Sequence, residues 1–324
     1  MVDSWLILTE KLVSAIFQHM KKVGFLMAAA LVGGIVSADD SAIVRLATER
    51  TSATVSLHGG RVMSFKVGDE EVLWSPKTWS HSGTNWCHGG IPLCWPWFGR
   101  SGPDPDVPHG FAWRSRFEVR SRKSAPGRCE LVLGLRSTDE MLKEWPYGFD
   151  LEYGIVLSDT LKLTLRTRNI GDRPFALTAG FHPYFFIGDR DRTEITGTDG
   201  MKYCDSRLTT KYDSVWKGNM KFTSSVDHVF VEPYPTALHK IVDPLLDRRI
   251  SVSSSGAARL VVWNPGVEEP AFDNPAPGQL AVEDWRHLLC VEPAILWKEA
   301  AVEVKPGAVH ELAAEIALEK GVGK

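Results

Sequence analysis

Leu161-Lys162-Leu163-Thr164-Leu165-Arg166 alternates leucine with a polar residue at every step. A strand turns successive side chains to opposite faces, so a period of two buries the leucines on one face and wets the other. Thr54-Val55-Ser56-Leu57 and Arg249-Ile250-Ser251-Val252 repeat the pattern less strictly. Between such runs stand turn signals: Gly59-Gly60, Ala125-Pro126-Gly127, Gly171-Asp172-Arg173-Pro174 and Asn264-Pro265-Gly266. Only residues 5–36 offer a long helix-compatible stretch. A chain of half-buried strands at short intervals stacks antiparallel sheets, so the expected class is all-β. No internal repeat or linker interrupts it, and the Pro-rich Glu269–Gly278 stretch reads as one long surface loop. A single domain from residue 41 to 324 is the simplest account.

Composition narrows the function classes. With 44% hydrophobic and 24% charged residues the 324-residue chain is that of an ordinary globular protein. Thirty-seven basic against 40 acidic residues give a net charge of −3, and no Lys/Arg run tracks a phosphate backbone. Nucleic acid is therefore not an expected partner. Five cysteines (Cys87, Cys94, Cys129, Cys204, Cys290) are an odd number without a CxxC pair, so at least one thiol stays free and no metal ligand set is apparent. Cys94 and Cys290 sit in apolar phrases and read as core fillers.

Near the N-terminus, Met20-Lys21-Lys22 precedes the uncharged apolar run Val23–Val36 and then Ser37-Ala38-Asp39-Asp40. A basic start, an apolar middle and small residues before a cut after Ala38 make a secretory signal, with residues 1–19 upstream of the true start. The run falls short of the roughly 20 residues that span a bilayer, so cleavage is expected rather than a stable membrane span. A periplasmic or secreted location follows. The alternative is an amphipathic helix over residues 5–36 packed on the domain of a cytoplasmic protein.

Two short phrases each embed one titratable group in an apolar setting: Phe181-His182-Pro183-Tyr184-Phe185 and Cys290-Val291-Glu292-Pro293-Ala294. A histidine and a carboxylate held in this way make a candidate acid/base pair. Gly89-Gly90-Ile91-Pro92-Leu93-Cys94-Trp95-Pro96-Trp97-Phe98-Gly99 and, ten residues on, His109-Gly110-Phe111-Ala112 complete what reads as a pocket. On the residues alone, His182 reads more simply as a satisfied core histidine and Glu292 as a structural acceptor at a strand end.

These four phrases, with Trp145-Pro146, Phe149 and Val262-Trp263-Asn264-Pro265-Gly266 in the same order, resemble the hexose-6-phosphate mutarotase branch of the aldose 1-epimerase family. The resemblance covers nearly everything after residue 41. It implies a galactose mutarotase-like antiparallel β-supersandwich with an open sugar-binding cleft, no metal for the chemistry and no organic cofactor. It also implies that His182 is the general acid at the sugar ring oxygen and Glu292 the general base at the anomeric hydroxyl. Histidine, with a reference pKa of about 6.5, gives and regains a proton near neutrality, and a carboxylate of about 4.3 accepts one. The resemblance further places His109 on a sugar oxygen and Asp227 on a sugar hydroxyl; the alternatives are a turn-capping histidine and a solvated strand-edge aspartate. Trp95, Trp97, Phe98 and Trp145 either floor the sugar site or belong to the core.

The chain departs from that branch where two arginines bind the phosphate: His88 precedes the Gly-Gly pair and Trp113 follows His-Gly-Phe-Ala. Neither supplies bidentate, permanently charged recognition. Arg114, Arg61 and Arg100 lie close enough in sequence to compensate, although a one-residue shift along a strand would turn Arg114 to the opposite face. The expected function is an aldose mutarotase, most simply a monomer, acting on a small-molecule sugar or sugar phosphate. The alternative is a non-catalytic carbohydrate-binding protein on the same fold, which would have no need of a matched acid and base. Export and the two missing arginines favour a free sugar.

Overall fold

A computed structural model describes residues 42–79, 86–104, 106–233, 236–267 and 275–321. The signal segment and upstream extension expected over residues 1–38, and most of the Pro-rich loop, lie outside these residues. No helix among the described residues is long and apolar enough to cross a membrane.

The leucine alternation becomes the strand Leu161–Asn169, with Leu161, Leu163 and Leu165 buried and Lys162 and Arg166 exposed. Its antiparallel neighbours continue the same rows: Ile155 and Tyr153 on Phe149–Leu157 face Leu163 and Leu165, while Ala314 and Leu312 on Val309–Lys320 face them from the other side. Cross-strand pairing of apolar side chains on one face is the unit that stabilises such a sheet. Among the described residues this sheet has nine strands, from Met220–Lys221 at one edge to Glu118–Ala125 at the other.

A second sheet, of eight strands, supplies the facing layer. Its centre runs through Val226–Val231, Arg259–Asn264, Leu288–Ile295 and Ala179–Phe181, and Tyr184–Phe186 also pairs with Leu288–Ile295. Phe181, Phe185, Phe230, Val262, Leu289 and Val291 from this sheet join the leucines of the first in one core cluster. A four-stranded sheet that begins at Ile43–Ala47 and a two-stranded ribbon flank this sandwich. Among the described residues helix is confined to short turns and to Asp139–Glu144, capped by Thr138 Oγ1 accepting from the Met141 N–H.

Trp95, Trp97 and Trp145 lie in the main core, with the Trp95 indole donating to Thr167 Oγ1 at 2.9 Å and that of Trp97 to the Val107 carbonyl at 2.9 Å. Of the four aromatics weighed as a sugar floor, Phe98 lines the cleft. All five cysteines are buried and free.

Candidate active site

Strand alternation builds the site. Because Leu289 and Val291 enter the core, Cys290 and Glu292 must face the other side of the sheet. The same parity on the neighbouring strands sends Val262 inward and Val261 and Trp263 outward, and leaves Asp227 and Val229 on the outward face. Register then aligns these residues: Asp227 opposes Trp263, Trp263 opposes Cys290, and Cys290 opposes Tyr184. In the adjacent row Val229 opposes Val261, which opposes Glu292.

The pairing of Gly180 with Ala294 and of Tyr184 with Cys290 leaves His182 directly across from Glu292. Pro183 interrupts the ladder there, and the His182 N–H donates instead to the Pro92 carbonyl at 3.1 Å. The His182 imidazole lies parallel to the Tyr184 ring, centroids 4.7 Å apart. Its Nδ1 sits 3.5 Å from Glu292 Oε2, with the two residues 7% and 1% exposed. Neither facing atom has any hydrogen-bond partner.

Burial pushes the Glu292 carboxyl well above the usual carboxylate range, with the Asp227 charge adding to it. Burial pushes the His182 imidazole well below the histidine range, and the nearby His109 and His88 reinforce the shift. Each group therefore resists carrying charge by itself.

Above this pair opens a cleft of about 630 Å³, lined among others by His88, His109, Arg100, Asp227, Trp86 and Trp263. His109 sits in the left-handed region at φ 63°, followed by Gly110 at φ 69°. Its N–H donates to the Gly99 carbonyl at 2.8 Å, and its Nδ1 accepts from the Gly99 N–H at 3.2 Å. With Nδ1 an acceptor, the ring proton resides on Nε2. Burial and the Arg100 charge bring its pKa down to about 4, so the ring is neutral at neutral pH. A Cβ on Gly110 would lie 2.1 Å from the Trp95 carbonyl oxygen. Gly110→Ala is thus expected to destabilise the protein by about 3 kcal/mol or more, from strain and overlap together. Chemical denaturation checks this, and an unchanged midpoint would show that the loop is not held as described.

His88 is tied into a second relay. The Trp86 indole donates to the Tyr184 hydroxyl at 3.3 Å, and that oxygen lies 3.1 Å from His88 Nδ1. A tyrosine that accepts from tryptophan keeps its own proton to donate, and donated to His88 Nδ1 it pairs with the tautomer that carries its proton on Nε2. Burial and the Arg61 charge lower its pKa to about 4. The ring lies parallel to Trp263, 6.2 Å away.

Two of the remaining expectations, Arg114 and Arg61, need correction. Arg114 is not in a strand but in the 3₁₀ turn Ala112–Arg114, and its Nη2 is held by Glu144 Oε1 at 2.6 Å, away from the cleft. Trp113 is buried, its indole donating to the Gly110 carbonyl at 2.8 Å and meeting Trp86 edge-on. Arg61 is buried behind the cleft with Nη1 on the Cys87 carbonyl at 2.8 Å; its charge reaches His88, but its side chain does not line the space. Asp227 does line it, and burial pushes its carboxyl up while Ser206 hydrogen-bonds to it. No metal ligand set is apparent in the sequence, yet the fold gathers His182, Cys290 and Glu292, because register joins strands remote in the chain.

Trp86, Tyr184 and Trp263 carry much of the cleft and are absent from the expected site. Tyr184 and Trp263 are legible in hindsight from parity, since each lies on the cleft face with a named site residue opposite or two positions away. Trp86 has no such signal.

Comparison with known proteins agrees with this geometry. The family model described as aldose 1-epimerase matches residues 42–317. The chain is 32% identical over 273 residues to a candidate glucose-6-phosphate 1-epimerase of Cenchrus ciliaris, covering 79% of this chain and 78% of that one. It is 28% identical over 270 residues to a candidate glucose-6-phosphate 1-epimerase of Salmonella typhimurium, covering 83% and 88%. A solved structure of a candidate mutarotase from Salmonella typhimurium superposes with a TM-score of 0.76 at 25% identity, over 86% of this chain and 90% of that one. The mutarotase-like sandwich and its cleft are those of an epimerase, and the chain belongs to the aldose 1-epimerase family.

Proposed function

We propose that this cleft interconverts the α and β anomers of an aldose by opening and reclosing its ring, and that it takes a neutral sugar about as readily as a phosphorylated one. The observation that carries the reading is the buried pair at the cleft floor, His182 Nδ1 facing Glu292 Oε2 at 3.5 Å with no other partner for either atom. Ring opening needs a proton delivered to the ring oxygen as another leaves the anomeric hydroxyl. His182 supplies the first and Glu292 takes the second. Burial disfavours charge on either group alone, and a proton passing from Oε2 to Nδ1 makes carboxylate and imidazolium together, with no net charge entering a low-dielectric site. Reclosure on either face of the rotated aldehyde returns every proton. His109 and Asp227 hold sugar oxygens, and Trp263 and Trp86 bound the sugar face.

The phosphate side follows from charge. Arg100 is the one arginine among the described residues that line the cleft. His88 stands there as a neutral Nε2–H donor, suited to a hydroxyl oxygen and much weaker than guanidinium toward a dianion. Anomer exchange measured by NMR on purified protein with glucose, galactose and glucose 6-phosphate tests the reading, and exchange at the buffer rate with all three would end it. Export through residues 20–38 is part of the same proposal, because free sugars rather than sugar phosphates are met outside the cell; amino-terminal sequencing of the mature protein checks the cut after Ala38.

The pH dependence is a further expected result. Activity needs one transferable proton on the pair. Adding a second charges a buried imidazole, so the acid limb of kcat/KM falls below the ordinary histidine value of about 6.5. Removing the first leaves a buried carboxylate, so the alkaline limb lies above the ordinary carboxylate value. No acid limb is therefore expected at or above about 6.5 in the pH profile of kcat/KM, and one centred there would contradict the lowered imidazole.

A further inference from the structure

We infer that His182, Cys290 and Glu292 form an inhibitory site for a thiophilic divalent cation of the zinc type. One potential ligand atom from each residue lies within 4.8 Å of the other two, and all three residues are buried. In the same residues His182 Nδ1 and Glu292 Oε2 have no hydrogen-bond partner. They lie 3.5 Å apart, close to the edge of a zinc tetrahedron, which is about 3.4 Å for bonds near 2.1 Å. Sulfur is the atom that must close in, by a rotation at Cys290.

The charges match as well. Burial pushes the Cys290 thiol well above its ordinary range, so at rest it is protonated and inert. A bound dication changes this: the thiol gives up its proton to bulk water, as does the Glu292 carboxyl where it is protonated. Thiolate, carboxylate and neutral imidazole then make a site of no net charge, which suits a buried position, and a fourth ligand position faces the cleft as water. The imidazole–thiolate–carboxylate set is that of a borderline cation, and magnesium or calcium would be bound poorly. Because the cation holds the lone pair of His182 and the oxygen of Glu292, it competes with sugar and stops proton transfer. Proton release makes binding tighter as pH rises.

The inhibition half of this inference rests on the proposed anomer exchange; the binding half does not. Cobalt(II) is titrated into full-length protein and followed by its thiolate charge-transfer absorption, while zinc chloride is titrated into the anomer-exchange assay. Cys290 is not part of the proton-transfer machinery, so Cys290→Ala is expected to retain exchange, to lose the absorption band and to need at least about tenfold more zinc for half-inhibition. Cys290→Ser, which keeps the volume and lacks the soft ligand, is expected to do the same and guards against an unfolded alanine variant. EDTA in either case leaves exchange unreduced. A wild-type protein without the cobalt band overturns the site, whatever the sugar assay shows. A band that survives both substitutions overturns the role of Cys290, and zinc inhibition equal in wild type and both variants shows a cation bound elsewhere.

Discussion

His182→Ala and Glu292→Gln are each expected to slow anomer exchange by at least roughly 10²-fold while the protein stays folded, the scale usual for loss of a general acid or base. The two substitutions act on one proton path, so the double variant should be hardly slower than the slower single one. Glu292→Gln is the cleaner test. The amide keeps the shape of the side chain, donates or accepts opposite His182 Nδ1, and cannot pass a proton between its two ends. His182→Ala leaves a gap beside the Tyr184 ring, which lies 4.7 Å from the imidazole. Its cost in stability, of order 1–3 kcal/mol, is to be measured alongside the rate. Near-wild-type exchange in both variants would remove these residues from the chemistry and leave the cleft a binding site.

How much of this is legible in the sequence depends on whether an inference is local. Strand alternation needs only neighbouring residues, so Leu161–Arg166 discloses its strand and its buried face. Site membership for His182 and Glu292 is legible for a related reason: a titratable residue in an apolar phrase must be satisfied or used. Their separation is not legible, because it depends on the register that sets Gly180 against Ala294 and Tyr184 against Cys290. Arg114 fails by the same logic. It lies two residues beyond the His109–Ala112 phrase, but the 3₁₀ turn Ala112–Arg114 directs it to Glu144, a partner that no local pattern reveals. The roles of Trp86 and Tyr184 depend on a hydrogen bond between residues far apart in the chain.

The second large effect concerns substrate choice. Each charge-assisted contact to a phosphate is worth about 1.5–3 kcal/mol, and the loss of two removes most of the preference for a phosphorylated sugar. Trp113 is buried against Trp86 with its indole bonded to the Gly110 carbonyl, Arg114 is held by Glu144, and Arg61 lies behind the cleft on the Cys87 carbonyl. Only Arg100 remains among the cleft-lining residues to meet a phosphate. Accordingly kcat/KM for glucose 6-phosphate should exceed that for glucose by less than about tenfold, a difference of ~1.4 kcal/mol in transition-state binding. His88→Arg restores a cation at the cleft wall, beside the Tyr184 hydroxyl, and should widen the ratio by about tenfold or more. Trp113→Arg should not, because it buries a guanidinium in place of a packed indole and lowers stability instead. A native ratio above a thousandfold would assign the phosphate to Arg100, and Arg100→Ala would then have to abolish the preference while leaving exchange of glucose intact.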